Sequence, residues 1–262
     1  MGLTSADELE IEYEEHHPGH HHAVHGGDRE KSPRLPRTRS HFLSAFSERV
    51  LTSCRVLPDA SSLFVASISI VLTHEEPLPR RPFRVVVAGV SGTGKTTLAS
   101  RIAVVIGSPH IEIDALYHGP HWVPREAFLG DVRSMVAQDT WTTEWQYKAA
   151  RPLLTERADV VVWLDLPFWT TTLPRLVRRT LRRRLKREVL WNGNTEPPLR
   201  TFFTDPDHIV RWAIATRVNY RAKILALETA APHVTVVRLR SQQQVERWLA
   251  GPLRRSLDGN GR

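Results

Sequence analysis

Cysteine is nearly missing from this chain: Cys54 is the only one in 262 residues. No intramolecular disulfide and no thiolate metal cluster can form, which fits a reducing compartment. Lysine is scarce as well, with Lys31, Lys95, Lys148, Lys186 and Lys223 the only ones among 36 basic residues. Long apolar runs are also lacking. The longest, at 63–72, contains serines and is far short of the ~20 residues that span a bilayer. The first residues are acidic and have no apolar h-region, so they do not read as a secretory signal. These absences predict a cytoplasmic protein with no membrane partner.

What is present is arginine, and with it a net charge of +8 and a pI near 10.2. Such a balance favours acidic partners: nucleotides, nucleic acid or an anionic surface. A general coding bias towards arginine explains the same numbers, so nucleic acid is kept as a partner class without being favoured. The apolar fraction of 41% is ample for one core of ~150–200 residues.

The chain divides into three parts by composition. Residues 1–81 hold an acidic stretch at 7–15, then His16, His17, His20, His21, His22 and His25, then a Pro/Arg-rich stretch at 31–40. Such segments bury too little apolar surface to offset their ordering entropy and are expected to be mostly disordered. The histidines offer neutral imidazoles to a transition metal, against the plainer reading of a solvated tract. An island at 61–72 is the one piece of this extension expected to dock. Residues 82–250 form the folded domain and 251–262 a flexible tail.

Within the domain, β-branched runs at 83–89, 110–113, 141–145, 158–164 and 234–239 read as strands. Apolar spacing predicts helices at 96–106, 124–138, 173–190, 205–229 and 242–250, with Asp205-Pro206 as a start signal. Strands alternating with helices make the fold class α/β, a doubly wound parallel sheet covered on both faces.

One motif carries chemistry. Gly89-Val-Ser-Gly-Thr-Gly-Lys95-Thr96 matches the phosphate-binding loop G-x-x-x-x-G-K-[ST]. Glycines 89, 92 and 94 let the backbone bend so that amides converge on phosphate oxygens, and the following helix adds its N-terminal dipole. The expected ATP contacts are Gly89, Ser91, Gly92, Thr93, Gly94, Lys95, Thr96 and Thr97. Lys95 bridges the terminal phosphates, and the Thr96 hydroxyl ligates Mg²⁺. A strand leads into the loop and a helix leads out, as the motif requires. No Asn-Lys-x-Asp base-recognition segment is present, which excludes the GTPase reading, and the domain is too short for a helicase pair.

Further motifs join this one: Asp114-Ala-Leu-Tyr117, Trp163-Leu-Asp-Leu-Pro167, Arg178-Arg-Thr180 and Glu188-Val-Leu-Trp-Asn-Gly-Asn194. Together they resemble the adenylate-kinase-related P-loop kinases, and within them the bacterial branch labelled DNA topology modulation proteins. The resemblance covers residues 83–240. It implies a P-loop NTPase fold with a five-stranded 2-3-1-4-5 sheet and a helical, arginine-bearing lid. By that resemblance Asp114 faces the acceptor hydroxyl or a Mg²⁺-bound water, against the alternative of a strand-end turn cap. Arg125 resembles an acceptor-side arginine. Relatives carry an Asp-Gly-Asn-Tyr segment at the third strand; here the stretch is Trp141-Thr-Thr-Glu-Trp-Gln-Tyr147, so Glu144 takes the place of the metal-side carboxylate with one extra methylene. Arg175 and Arg179 resemble arginines that contact adenine and phosphate, and Arg217 one that closes on the transferring group. Asp165 ends a strand near the nucleotide side, with a structural role equally open. His118 and His121 flank the acceptor side, without a third metal ligand.

The implied function is phosphoryl transfer from Mg-ATP to a nucleotide, nucleoside or other small hydroxyl acceptor. Two alternatives stay open at this level: an ATP-binding regulatory or DNA-associated protein with little turnover, and a plain ATPase.

Overall fold

Valine runs buried on both faces build the centre of the molecule, and the glycine loop follows the carboxyl end of one of them. The computed structural model describes residues 71–198, 200–201 and 208–258. The acidic, His-rich and Pro/Arg-rich stretches, nearly all of the 61–72 island, and the Asp205-Pro206 start signal lie outside the described residues. Those described all fall in one unit that includes Ile68–Arg262.

Five strands form one parallel sheet: β1 (Val71–Leu72), β2 (Arg84–Gly89), β3 (Trp141–Glu144), β4 (Val160–Leu164) and β5 (Thr235–Leu239), in the order β1-β5-β4-β2-β3. Successive side chains of a strand point to opposite faces, and the core divides accordingly. Val85, Val87, Val160, Val162, Leu164, Val237 and Leu239 enter one apolar cluster, while Val86, Ala88, Val161, Trp163 and Val236 enter the other. Each such buried side chain stabilises the fold by roughly 1.5–3 kcal/mol.

Helices cover both faces, so the doubly wound α/β class holds. In chain order they are α1 (Lys95–Ile106), α2 (Ile113–Tyr117), α3 (Phe128–Val136), α4 (Arg151–Arg157), α5 (Leu173–Lys186), α6 (Ile209–Thr216), α7 (Asn219–Ala230), α8 (Gln242–Trp248) and α9 (Arg254–Asp258). α1 and α8 bury Leu98, Ile102, Val245 and Trp248 on one face. α2, α3, α4 and α7 bury Ile113, Val132, Leu154 and Ile224 on the other. α5 and α6 pack together through Leu176, Val210 and Ala213.

Three expectations about these elements are corrected. The edge strand at 110–113 shrinks to a single parallel bridge between His110 and Thr142. Its next backbone amide, Ile113 N–H, donates to the Glu144 carboxylate at 3.1 Å instead of to a ladder, and Ile113 opens α2. The expected 2-3-1-4-5 order is otherwise kept: that bridge lies beside β3, followed by β2, β4 and β5, and β1 is an added strand on the far edge, beside β5. The helix expected from 124 starts at Phe128, because Pro124 pairs with His118 and Arg125 N–H donates to the Tyr117 carbonyl at 2.9 Å. The helix expected at 205–229 divides at Arg217 and Val218, where the Arg217 guanidinium donates to the Ile214 carbonyl and competes for it.

Both expected domain ends also move. Leu72 and Leu78 are buried in the α1-side cluster, so the packed unit begins before residue 82. At the other end the chain stays helical to Asp258 through a wide turn at Leu249–Leu253, with Pro252 and Leu253 buried. α4 had no counterpart in the sequence reading.

Candidate active site

The loop at 89–96 joins the carboxyl end of β2 to the start of α1. Gly92 and Gly94 adopt φ of 89° and 94°, a left-handed geometry that side chains rarely take. Gly92 also has no room: a Cβ there would lie 2.8 Å from Leu176 Cβ and 2.9 Å from the Thr172 carbonyl oxygen. The loop is thus clamped by α5. Thr93 closes it from within, donating its hydroxyl to the Val90 carbonyl at 2.8 Å. Ser91 is half-buried and Thr97 exposed at its rim.

Lys95 is the first residue of α1 and only 8% exposed. Burial lowers its ammonium pKa to about 8, against the pull of the Asp114 and Glu144 carboxylates; Arg179 and Arg151 push in the same direction as burial. Lys95, Asp114, Glu144 and Arg179 thus form one electrostatic group.

Glu144 is fully buried at the end of β3. Burial alone would raise its carboxyl, yet four attractions outweigh it and hold it below the usual range: hydrogen bonds from His110 and the Ile113 N–H, the charge of His110, and a bond from the Thr96 hydroxyl. A carboxylate can only accept, so Thr96 Oγ1 and His110 Nε2, at 3.2 Å, are the donors. The Thr96 hydroxyl is thus among the groups that favour the charged form of Glu144, in spite of the additional methylene. The hydroxyl and the carboxylate are hard oxygen donors, a set that suits a small oxygen-liganded divalent cation which keeps most of its waters.

Asp114, on α2, is pushed up by burial and by the Glu144 charge, and pulled down by the Tyr147 hydroxyl, Lys95 and Arg179. Gln146 Nε2 and Tyr147 Oη donate to it at 2.6 and 2.7 Å, both on Oδ1. Tyr147 Oη also lies 3.2 Å from His118 Nε2, and its own φ is 57°. Left-handed φ recurs at His121, Trp122 and Asn192 around the same place. Such backbone strain gathers at functional sites.

The turn at Trp191–Gly193 docks onto this region. Trp191 Nε1 donates to Glu112 at 2.6 Å, and the Asn192 amide donates to the His118 carbonyl. Asn194 accepts from the Trp122 N–H at 3.0 Å and donates to the Gly119 carbonyl at 2.8 Å. The Leu-Trp-Asn-Gly-Asn segment is thus the fastening between the end of α5 and the loop after α2.

Other expected site residues lie elsewhere. Arg175 is exposed on the first turn of α5. Arg217 sits over the Phe168 and Trp169 rings, at 5.6 and 4.9 Å, so its contacts are not with the Lys95 group. Arg125 pairs with Asp131 at 3.0 Å. Asp165 accepts from Arg238 Nε at 2.8 Å and ties β4 to β5, the structural alternative. His118 packs between Trp122 and Trp191, and no group of three or more metal-ligating His, Cys, Asp or Glu side chains occurs among the described residues. His110, Gln146 and Tyr147 were missed as contributors; Tyr147 was readable only as part of a departure from the family's segment.

No family model matches the chain, and no curated protein matches it. Among solved structures, a gluconokinase from Sinorhizobium meliloti 1021 is 22% identical, covering 68% of this chain and 96% of that one at a TM-score of 0.41. A shikimate kinase from Bacteroides thetaiotaomicron is 17% identical, over 68% and 99%, at 0.36. A sugar kinase from Janibacter sp. HTCC2649 is 24% identical, over 66% and 97%, at 0.32. At such values function has to be argued from the site itself.

Proposed function

We propose that this chain is an ATP-dependent small-molecule kinase, transferring the γ-phosphoryl group to a hydroxyl acceptor. The observation that carries the reading is buried Glu144, fixed by His110 and the Ile113 amide, beside buried Lys95 at the mouth of a glycine loop and within electrostatic reach of a second carboxylate, Asp114. A loop that only bound nucleotide would have no use for that second carboxylate.

The roles follow from the chemistry. The loop amides at 89–96 and the α1 N-terminus hold the phosphates, and Lys95 neutralises the β- and γ-oxygens. Thr96 and Glu144 would hold Mg²⁺, which when bound shields the charge that builds on the phosphates. Asp114 orients the acceptor hydroxyl through Oδ2 and takes its proton as the oxygen bonds to phosphorus and the bond to the ADP oxygen breaks. His110 fixes Glu144; Gln146 and Tyr147 fix Asp114. Arg179 stabilises the transferring group. Arg175 and Arg217 are secondary nucleotide contacts in this reading. Nucleotides and nucleosides are the first acceptors to try, in keeping with the resemblance of the segments at 114–117 and 188–194.

The test is γ-phosphoryl transfer by the full chain across nucleotides, nucleosides, sugars and hydroxy acids. Product that requires an acceptor and disappears in Lys95→Ala, with circular dichroism unchanged, supports the reading. Phosphate release at one rate with or without acceptor makes the protein a plain ATPase and rejects it.

A further inference from the structure

α5 carries an apolar stripe that nothing among the described residues covers. Val177, Leu181 and Leu185 are 36%, 40% and 77% exposed, and with Leu173 and Pro174 they line a shallow groove along the helix. Four-residue spacing keeps them on one slanting face. Exposed cations follow the stripe at Arg178, Arg182 and Lys186, of which Arg182 pairs with Glu188 at 3.2 Å. Arg179 is two residues from the stripe in either direction and so lies on the opposite face, towards the site. An apolar stripe edged by positive charge calls for an acidic, apolar occupant.

The chain itself contains one. Asp7-Glu-Leu-Glu-Ile-Glu-Tyr-Glu-Glu15 alternates carboxylates with Leu9, Ile11 and Tyr13 and has no cation. It lies outside the described residues. Extended, its apolar side chains would recur every ~7 Å along one edge, close to the ~6 Å that four residues advance along a helix. About 55 residues separate Glu15 from β1, a tether whose root-mean-square span is roughly 40 Å. Five strands at ~4.8 Å spacing make the sheet only about 20 Å wide, so the tether reaches. Tethering also raises the local concentration to about the millimolar range.

We infer that the acidic segment at 7–15 docks in cis on the apolar, basic-edged groove of α5, its Leu9, Ile11 and Tyr13 against Val177, Leu181 and Leu185.

The test uses the full chain in a Cys54→Ser background, with Ile11→Cys paired either with Leu181→Cys on the groove or with Val104→Cys, an 81% exposed position on α1. Under mild oxidation the groove pair should close an intramolecular disulfide at least ten-fold faster than the α1 pair. Adding Glu10→Lys and Glu12→Lys should bring the groove pair down to the rate of the α1 pair. Equal rates for the two pairs, or a groove rate unmoved by charge reversal, overturns the inference. Disulfide-linked dimers in place of the intramolecular product assign the groove to a second copy and overturn it as well. So does shielding of the α5 thiol from alkylation that appears only when duplex DNA or anionic vesicles are added.

Discussion

Lys95 carries a charge in a place that disfavours charge, and its energetics can be measured. Burial lowers its pKa from 10.5 to about 8. Between those values the unfolded chain holds a proton that the folded chain has released, so stability rises with pH across that window. Below about 8 both states are protonated and the full cost remains, about 3 kcal/mol at 1.36 kcal/mol per unit. Lys95→Met should therefore stabilise the fold at pH 7 by about 1–3 kcal/mol while abolishing transfer, the trade expected of a strained functional residue. Urea melts from pH 7 to 10.5 check this: wild type should gain stability across the range and the variant should lose that gain. Asp114 shifts the opposite way, upward, because burial opposes its charge. Asp114→Asn should lower kcat ~10²–10³-fold with the KM for ATP little changed. The acid limb of the wild-type rate profile should lie above the ordinary aspartate range.

Among the elements, the glycine loop and the Trp191–Gly193 turn make the sharpest predictions. Gly92→Ala would drive a Cβ into Leu176 and the Thr172 carbonyl, whereas Gly94→Ala meets open space and suffers only its φ of 94°. The first should remove nucleotide binding in a titration; the second should weaken it by about 1–2 kcal/mol of backbone strain. Asn194 is buried and satisfied on both sides by the loop after α2. Asn194→Ala should raise the acceptor KM and leave the ATP KM near its wild-type value, at a stability cost of about 1–3 kcal/mol for the groups left unpaired. The strand–loop–helix form of residues 84–106 was legible in the sequence because its spacing is local: strand, glycines, lysine and helix follow one another. Glu144 was legible only by position. That Glu144 joins the Lys95 group, and that His110 and the Ile113 amide support it, depends on β3 lying beside β2, a pairing between residues far apart in the chain. The expected edge strand failed for the same reason, since its amide was already committed to that carboxylate.

At the scale of the molecule, the alternation of valine runs with helical spacing was sufficient for the α/β class, while the ends of the unit were not legible. Val71–Leu72 is too short to signal a strand by pattern, and it forms because β5 offers a free edge. Residues 251–258 are polar enough to read as a tail, yet Leu253 is fully buried beside Trp248. A chain starting at residue 82 should therefore be less stable than one starting at 68 by roughly 3–6 kcal/mol, the burial of Leu72 and Leu78 at ~1.5–3 kcal/mol each, and thermal melts of the two decide it. No helix among the described residues is long and apolar enough to cross a membrane. The most direct measurement is transfer of labelled γ-phosphate from Mg-ATP to an acceptor panel by wild type, Lys95→Ala and Glu144→Gln. The account predicts acceptor-dependent product from wild type, none from Lys95→Ala, and a loss in Glu144→Gln of the response to added Mg²⁺. Equal product from all three proteins, or phosphate released only to water, would contradict it.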